Sequence, residues 1–235
     1  SSSQFTCYVA NNTEGYKFHS SSVINSGEKS KCYIQIPSNP DDTGYVVKVS
    51  RTEESDKELE KYRELLRNKR HGAYWLHVPT AVALSKVYDH SQNKWLDPKL
   101  LMLFMEYKGP SLNLFTSIPK SEVWSLIIQA YYSIFAIIES NNWFSSDVHN
   151  RNICIKYRQG LPRKLVYRID ESLYEIHTNY VLSFIDFGHV IDFTNDNQRN
   201  QHFSSAFLRV VEEIKKKSVK DDLVFQTVKQ MIRSL

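Results

Sequence analysis

Three side chains that carry oxygen atoms stand at a spacing that suits phosphate and metal chemistry. Asp147 and Asn152 lie in the stretch 147–152 (DVHNRN), and Asp186 ends an apolar run in the stretch 185–188 (IDFG). A carboxylate can orient an acceptor hydroxyl and accept its proton, while an amide oxygen and a second carboxylate can hold Mg²⁺ against phosphate groups. The two stretches, in this order, therefore predict phosphoryl-transfer chemistry.

A lysine within an apolar strand provides a third element. Lys48 interrupts a run of strand-forming residues (YVVKV), and an ammonium in such a place is costly unless it finds a partner. The next residues, from about 55 to 68, have the apolar periodicity of a helix. Glu58 lies at the edge of its apolar stripe and is a candidate partner of Lys48. The same helix holds two rivals for the ion pair, Glu60 and Glu64.

Together, these elements resemble the catalytic core of the protein-kinase family. The resemblance implies an α+β fold of the bilobal protein-kinase-like type, with a β-rich N-lobe and a reduced, mainly helical C-lobe. The implied boundaries are 1–107 for the N-lobe, 108–112 for the hinge and 113–235 for the C-lobe, which make one kinase domain.

The same resemblance implies two cofactors, ATP and Mg²⁺, and a role for each motif residue. Lys48, paired with Glu58, would hold the α- and β-phosphates of ATP. Asp147 would be the catalytic base or the residue that orients the acceptor hydroxyl. Asn152 and Asp186 would be the protein ligands of Mg²⁺.

An apolar strand that runs into a polar turn leads to the hinge prediction. The stretch 105–112 (MEYKGPSL) resembles the hinge of the casein kinase one and vaccinia-related kinase families. This resemblance makes Met105 the gatekeeper and places the backbone groups of Glu106 and Lys108 against the adenine edge. Backbone groups suit that task because they are rigid and always present.

The segment that aligns with the phosphate-binding turn of kinases departs from the family pattern. Gly27 is the one glycine of the stretch 24–33 (INSGEKSKCY), and Cys32 takes the place of the valine that usually lies against adenine. Small residues with tolerant φ angles still let backbone amides approach a phosphate. We therefore expect nucleotide binding with weaker positioning of the γ-phosphate.

The loop that carries Asp147 departs from the pattern as well. Ser145 and Ser146 replace the His-Arg pair, whose arginine binds a phosphorylated activation loop, so we expect activity that does not depend on that phosphorylation. His149 takes the place of the usual lysine and would stabilise the charge of the γ-phosphate. The pattern Asp-x-His-x-x-Asn also resembles haspin, atypical kinases and small-molecule phosphotransferases such as aminoglycoside and choline kinases.

Residues 163–179 contain two short apolar runs around a polar turn, which predicts a β-hairpin. Ordinary protein kinases have a shorter connection here, and the longer one resembles haspin and kinases of large DNA viruses. After Gly188 the chain is short and lacks an Ala-Pro-Glu motif. This shortening resembles kinases that bacterial pathogens secrete as effectors and some viral kinases, a few of which need a host partner.

Two amphipathic helices, Phe203–Lys217 and Leu223–Ile232, are predicted after the motifs. We expect them to dock on a long apolar helix over residues 121–140 and to close the C-lobe. The alternative is that they offer a surface to a partner, such as a host protein that supports the reduced C-lobe.

The composition narrows the class of protein. The chain has 235 residues, of which 41% are hydrophobic, and a net charge of +4. These values predict a globular core and no nucleic-acid partner. No run of residues approaches the roughly eighteen apolar residues of a membrane helix, so we expect no membrane span. Three widely spaced cysteines, Cys7, Cys32 and Cys154, predict free thiols in the cytoplasm or another reducing compartment, including that of a host cell.

The most specific interpretation is an ATP- and Mg²⁺-dependent phosphotransferase that acts on Ser or Thr in a protein substrate and lacks a standard activation segment. Two alternatives remain open. A small-molecule phosphotransferase would use the same residues, because fold-level likeness does not determine the substrate. A pseudokinase would bind a partner without catalysis, although a scaffold needs none of Lys48, Asp147, Asn152 and Asp186.

Overall fold

The computed structural model describes residues 4–9, 15–19, 23–26, 30–35, 44–68, 73–80, 82–97, 100–169 and 171–218. The chain divides into two compact units. The first contains Ser1–Leu66 and Pro79–Tyr107, and the second contains Arg67–Val78 and Lys108–Leu235. Strands hold 39% of the described residues, and three α-helices occur among them.

The first unit is a nearly closed barrel of antiparallel strands with one helix. Its elements are β1 (Gln4–Val9), β2 (Tyr16–His19), β3 (Val23–Ser26), β4 (Ser30–Gln35), β5 (Tyr45–Arg51), α1 (Thr52–Arg67), β6 (Val82–Asp89), β7 (Lys94–Trp95) and β8 (Leu100–Glu106). The main sheet has the order β2-β1-β6-β8-β5-β4-β3, and β7 pairs with β6. The rings of Phe5 on β1 and Tyr33 on β4 lie 5.4 Å apart although their strands are not neighbours, as a nearly closed sheet requires.

Alternation along the strands separates the barrel core from the other face of the sheet. Successive side chains of a strand point to opposite faces. On β5, Val47 belongs to the core and Val49 packs against it, so Lys48 projects from the opposite face. The core consists of small and large apolar side chains: Cys7, Phe18, Val47, Val87, Met102 and Phe104. The position of Lys48 thus follows directly from the apolar pattern of β5.

Helix α1 follows β5 without a loop and buries one stripe of side chains. Glu58, Leu59, Tyr62 and Leu65 are buried, and their spacing is that of one helical face. The predicted strand around Lys48 and the predicted helix after it are therefore confirmed.

The second unit combines short strand pairs with two helices. Its elements are α2 (Val123–Asn141), β9 (Trp143–Ser145), β10 (Ile153–Tyr157), β11 (Arg163–Ile169), β12 (Ser172–Thr178), β13 (Tyr180–Phe184), β14 (Val190–Asp192) and α3 (Asp196–Lys217). The strands pair as β10-β13, β11-β12 and β14-β9, all antiparallel.

Strands β10 to β13 form a long two-stranded ribbon. The β10-β13 pair runs from Ile153↔Phe184 to Tyr157↔Tyr180, and the β11-β12 pair continues from Arg163↔Thr178. Between its two halves the ribbon is irregular, because several residues link β10 to β11 whereas only Asn179 separates β12 from β13. The Asn179 carbonyl accepts a hydrogen bond from the Arg158 amide at 2.9 Å. The predicted hairpin at 163–179 is confirmed as the outer half of this ribbon.

Helices α2 and α3 pack against each other through aromatic side chains. The ring of Tyr131 lies edge-on to those of Phe203 and Phe207, at 5.1 and 5.3 Å. Helix α2 ends where Asn142 adopts a left-handed conformation (φ 58°) and donates its backbone N–H to the Ile138 carbonyl. The first predicted terminal helix is confirmed and docks on α2 as expected. The second, Leu223–Ile232, lies outside the described residues.

Helix α3 begins earlier than the sequence predicted, at Asp196 rather than Phe203. The Asn195 side chain caps it by accepting a hydrogen bond from the Gln198 amide at 2.9 Å. The first two turns are polar, so they lack the apolar stripe from which the helix was predicted.

The predicted fold class is wrong. The structure is mostly strands, and its architecture is not recognisably that of a bilobal protein kinase. The predicted C-lobe was mainly helical, yet six of the strands described above, β9–β14, lie in the second unit beside two α-helices. Between α2 and α3 the chain buries its apolar groups by pairing strands. The helical expectation came from the family resemblance and not from the periodicity of these residues.

The segment Lys120–Asn141 is the one described helix with the length and hydropathy of a membrane span. Its apolar window is 67% buried within the protein, as expected for a core helix. This burial agrees with the prediction that the chain has no membrane span.

Two buried hydrogen bonds connect His77 to strands β11 and β13 of the ribbon. His77 is fully buried, and its Nδ1 donates to the Leu182 carbonyl at 2.6 Å. Its Nε2 accepts a hydrogen bond from the Tyr167 hydroxyl at 3.1 Å. Burial lowers the pKa of His77 to about 4, against the opposing effect of the bond to Leu182, and nearby Lys108 lowers it further. The folded protein therefore holds a neutral imidazole.

This neutral histidine should make stability fall in mild acid. In the unfolded chain His77 regains a pKa near 6.5, so between pH 6.5 and 4 the unfolded state binds more protons. The contribution of the neutral His77 to the free energy of unfolding is complete above about pH 6.5. As the pH falls toward 4, the free energy of unfolding decreases by roughly 2–3 kcal/mol. Urea unfolding at pH 7.5 and 4.5 measures this, and His77→Gln should remove that part of the pH dependence. An unchanged pH dependence in the variant would contradict it.

Candidate active site

The first unit holds the predicted ion pair. Lys48 Nζ donates to Glu58 Oε2 at 2.8 Å, and the two side chains are 14% and 3% exposed. The rival carboxylates make other contacts, since Glu60 lies 3.7 Å from Arg63 and Glu64 lies 3.2 Å from Lys61. The prediction that Glu58 is the partner is confirmed. Strand β5 and helix α1 are joined directly, so the pair is fixed by two rigid elements.

The sheet register puts further predicted residues on the face that carries Lys48. Cys32 on β4 and Leu103 on β8 are the direct neighbours of Lys48, and Met105 is the neighbour of Val46. Directly opposite residues of paired strands point to the same face. Cys32, Leu103 and Met105 therefore lie beside Lys48 on the face opposite the barrel core, where Leu103 is fully buried and Met105 is largely buried.

The remaining residues predicted in the first unit are placed as follows. The Glu106 carboxylate accepts hydrogen bonds from the Thr80 amide and hydroxyl at 2.9 and 2.7 Å. The Tyr107 amide donates to the Gly44 carbonyl. Gly27 lies outside the described residues, so its proposed contact with phosphate stays a prediction. A separate apolar groove of about 900 Å³, lined by Tyr8, Leu84, Trp95 and their neighbours, contains none of the predicted site residues.

The predicted hinge begins in the second unit. Lys108 is buried, and Gly109 (φ 97°) lies so close to β10 that a Cβ would stand 2.5 Å from the Ile155 carbonyl oxygen. Only glycine fits there. The Pro110 carbonyl accepts a hydrogen bond from the Ile155 amide at 3.0 Å, which fixes this segment along β10.

The ribbon brings Asn152 and Asp186 together in the second unit. Asn152 immediately precedes β10, and Asp186 follows β13 by two residues. The last ladder pair, Ile153↔Phe184, is extended by a hydrogen bond from the Ile185 amide to the Asn152 carbonyl at 3.0 Å. Both predicted metal ligands thus lie at the same end of the ribbon, in two adjoining loops.

Asp147, His149 and Asn152 form one cluster in the first of these loops. Asn152 Nδ2 donates to the Asp147 carbonyl at 3.0 Å and lies 3.4 Å from Asp147 Oδ2. His149 Nε2 is 3.4 Å from the same carboxylate oxygen. His149 Nδ1 accepts a hydrogen bond from the Arg151 amide at 3.1 Å, and His149 Nε2 also lies 3.3 Å from Asn152 Nδ2. The Asp147 side chain is half exposed, as an acceptor-binding carboxylate must be.

Asp186 adopts a backbone conformation that is rare for residues other than glycine. Its φ is 66°, in the left-handed region, where aspartate and asparagine are tolerated better than most residues. Oδ1 accepts a hydrogen bond from the Gly188 amide at 3.3 Å. The next residue, Phe187, is fully buried with its ring 5.7 Å from that of Trp143. Burial of Phe187 holds the turn in place although the backbone of Asp186 is strained.

The oxygen atoms of Asn152 and Asp186, in the two adjoining loops, suit a hard divalent cation. Mg²⁺ is held by one or two protein oxygens together with phosphate oxygens and water. The Asn152 amide uses its NH₂ group within the loop, which leaves its oxygen as the coordinating atom, and Asp186 supplies a carboxylate. Within the described part of the chain, no group of three or more His, Cys, Asp or Glu side chains is placed to hold a metal ion. Asn152 and Asp186 would hold Mg²⁺, which would neutralise phosphate charge.

Sequence reasoning missed several residues that hold this loop. Ser145 Oγ accepts a hydrogen bond from the Asp147 amide at 3.2 Å, and Ser146 donates to the His189 carbonyl. From α3, Glu213 accepts a hydrogen bond from Asn150 at 2.9 Å, and His202 donates to the Ser145 carbonyl at 3.0 Å. A serine in place of the kinase histidine was the only local signal, and no local pattern links residues so far apart in sequence.

The sequence matches no protein-family model and no curated protein. None of the three cysteines forms a disulfide, as predicted, and burial raises the pKa of Cys7 to about 11, which disfavours its thiolate.

Replacing Lys48 with methionine should destabilise the first unit by about 3–5 kcal/mol, because it removes the ammonium beside the buried Glu58 carboxylate. The double variant Lys48→Met/Glu58→Gln should recover most of this loss, since no buried charge remains. Urea unfolding gives both values. If the single variant is as stable as the wild type, the ion pair does not have the energetic weight that its burial indicates.

Proposed function

We propose that the protein is an ATP- and Mg²⁺-dependent phosphotransferase that acts on a hydroxyl of a protein substrate. The observation that carries the proposal is the loop cluster of the second unit. It joins an exposed carboxylate, Asp147, to an amide and a second carboxylate, Asn152 and Asp186, at one end of a rigid ribbon. Phosphoryl transfer needs these groups and little other protein chemistry, because it depends on positioning and charge stabilisation.

Each residue has a distinct role in this proposal. Asp147 orients the acceptor hydroxyl and takes its proton, while Asn152 and Asp186 hold the cation. His149 lies beside the Asp147 carboxylate and stabilises the charge of the γ-phosphate. In the first unit, Lys48 binds phosphate oxygens. The hydrogen bond from Lys48 Nζ to Glu58 Oε2, at 2.8 Å, orients the ammonium group. Cys32 and Met105 lie on the same sheet face as Lys48 and would contact the adenine ring.

The serine pair before Asp147 supports activity without activation by phosphorylation. Ser145 and Ser146 bond to the Asp147 amide and the His189 carbonyl, so protein groups alone hold this part of the loop. No phosphate is needed to order it.

An acceptor comparison tests the proposal. The chain is incubated with γ-labelled ATP and Mg²⁺, in one arm with generic proteins and cell lysate and in the other with small hydroxyl compounds such as choline and aminoglycosides. We expect label in protein, and none with Asp186→Asn. Label only in the small compounds would shift the assignment to a small-molecule phosphotransferase. No label in either arm, together with tight ATP binding, would favour a scaffold.

A further inference from the structure

Helix α3 contacts the loop of Asp147 on both sides of that residue. His202 Nε2 donates to the carbonyl of Ser145, two residues before Asp147, at 3.0 Å. Glu213, three helical turns further along α3, accepts a hydrogen bond at 2.9 Å from the side chain of Asn150, three residues after Asp147. The loop is therefore held at two points by one rigid element.

The hydrogen bond between Glu213 and Asn150 orients the Asn150 side chain. Its Oε2 binds Asn150, and its Oε1 accepts a hydrogen bond from Lys216 Nζ at 2.6 Å, so each carboxylate oxygen has its own partner. The Glu213 side chain is only 14% exposed, whereas that of Lys216 is 63% exposed. A hydrogen bond to a largely buried carboxylate is stronger and more directional than one between neutral groups. Asn150 is thus fixed by Glu213, and Lys216 adds little.

The His202 contact acts through Ser145. Ser145 is buried, and its hydroxyl accepts the hydrogen bond from the Asp147 amide at 3.2 Å while its carbonyl binds His202. The His202 ring lies 5.4 Å from that of Phe193, which limits its rotation. Two hydrogen bonds therefore connect α3 to the backbone of Asp147.

We propose that Glu213 and His202 are positioning residues that hold Asp147 in the geometry required for transfer, an inference that rests on the proposed phosphotransferase function. Neither residue touches the reacting groups. Each fixes the loop through an intermediate residue, Asn150 for Glu213 and Ser145 for His202. Displacement of a reacting group by about 1 Å costs on the order of 10²-fold in rate, so loss of either contact should appear in kcat.

Glu213→Ala and its exposed neighbour Glu212→Ala make a matched pair, because both remove one carboxylate from the same turn of α3. We expect Glu213→Ala to lower kcat by roughly 10–10²-fold with an unchanged KM for ATP, and Glu212→Ala to leave both unchanged. Glu213→Gln keeps an oxygen for Asn150 and should restore most of the rate. A full loss with Gln, or an equal loss with Glu212→Ala, would overturn the assignment.

Hydrogen exchange of the same variants gives a second readout that does not depend on activity. Glu213→Ala and His202→Ala should raise amide exchange in residues 146–152 and leave the middle of α3 protected. Unchanged exchange in the loop, or loss of protection along all of α3, would overturn the proposal. If the loop responds as expected but the wild type transfers no phosphate, the contacts are real and the proposed function is the part that fails.

Discussion

Replacing Asp147 with asparagine should lower the rate of phosphoryl transfer by about 10²–10⁴-fold and leave the affinity for ATP unchanged. Asparagine has the same shape, and the backbone of residue 147 keeps its hydrogen bonds to Ser145 and Asn152. Only the negative charge and the proton-accepting oxygen are lost. Rates come from initial velocities at saturating ATP, and affinities from a separate ATP titration.

Asp196→Asn is the matched control for this variant. Asp196 lies in the first turn of α3 with its side chain 88% exposed, so the same change of charge is made away from the loop. The control should transfer phosphate at the wild-type rate. If Asp147→Asn also keeps that rate, Asp147 is not the catalytic residue.

The second large effect is expected at Asp186. At an ATP concentration one hundred times its Kd, ligand binding stabilises a protein by about 2.7 kcal/mol, and Asp186→Asn should lose most of this gain in the presence of Mg²⁺. Asparagine tolerates the φ of 66° and can still accept the Gly188 hydrogen bond, so the nucleotide-free protein should remain stable. Chemical denaturation with ATP and Mg²⁺, with ATP and EDTA, and without ligand separates the effects.

Wild-type protein in EDTA is the internal comparison for Asp186→Asn. The proposal expects the two to behave alike, because neither would have a cation held by the Asp186 carboxylate. Equal stabilisation of the wild type with Mg²⁺ and with EDTA would show that ATP binds without a cation. The metal assignment of Asn152 and Asp186 would then be wrong.

Local structure could be predicted from the sequence where the signal is local. The apolar run around Lys48, the helical stripe that includes Glu58 and the outer half of the ribbon each show their period within a few residues. The pairing of Lys48 with a glutamate of the next helix was taken from the family resemblance, and the apolar stripe of that helix then favoured Glu58 over Glu60 and Glu64.

The fold class could not be predicted in this way. Closure of the first unit brings β1 near β4 through pairings that no short window shows. In the second unit, the expectation of a mainly helical lobe was taken from the motifs at Asp147 and Asp186. A motif of a few residues specifies a loop and its chemistry, whereas strand pairing depends on partners far along the chain.

The α3 residues that contact the loop of Asp147 could not be predicted from the sequence either. Glu213 looks like a polar residue beside an apolar helix stripe, and His202 precedes Phe203 in a polar turn. Their relation to Asn150 and Ser145 becomes visible only when α3 packs on α2. The motif residues were identified because they lie close in sequence, and their supports were missed because they do not.

The most direct test of the central claim is the rate of γ-phosphate transfer to protein as a function of Mg²⁺ concentration, measured in one quenched-flow series for the wild type, Asp147→Asn and Asp196→Asn. The account predicts transfer that rises from zero with Mg²⁺ and saturates in the wild type and in Asp196→Asn, and that stays at least about 10²-fold lower in Asp147→Asn at every Mg²⁺ concentration. Transfer by the wild type in EDTA, or equal rates for all three proteins, would contradict it.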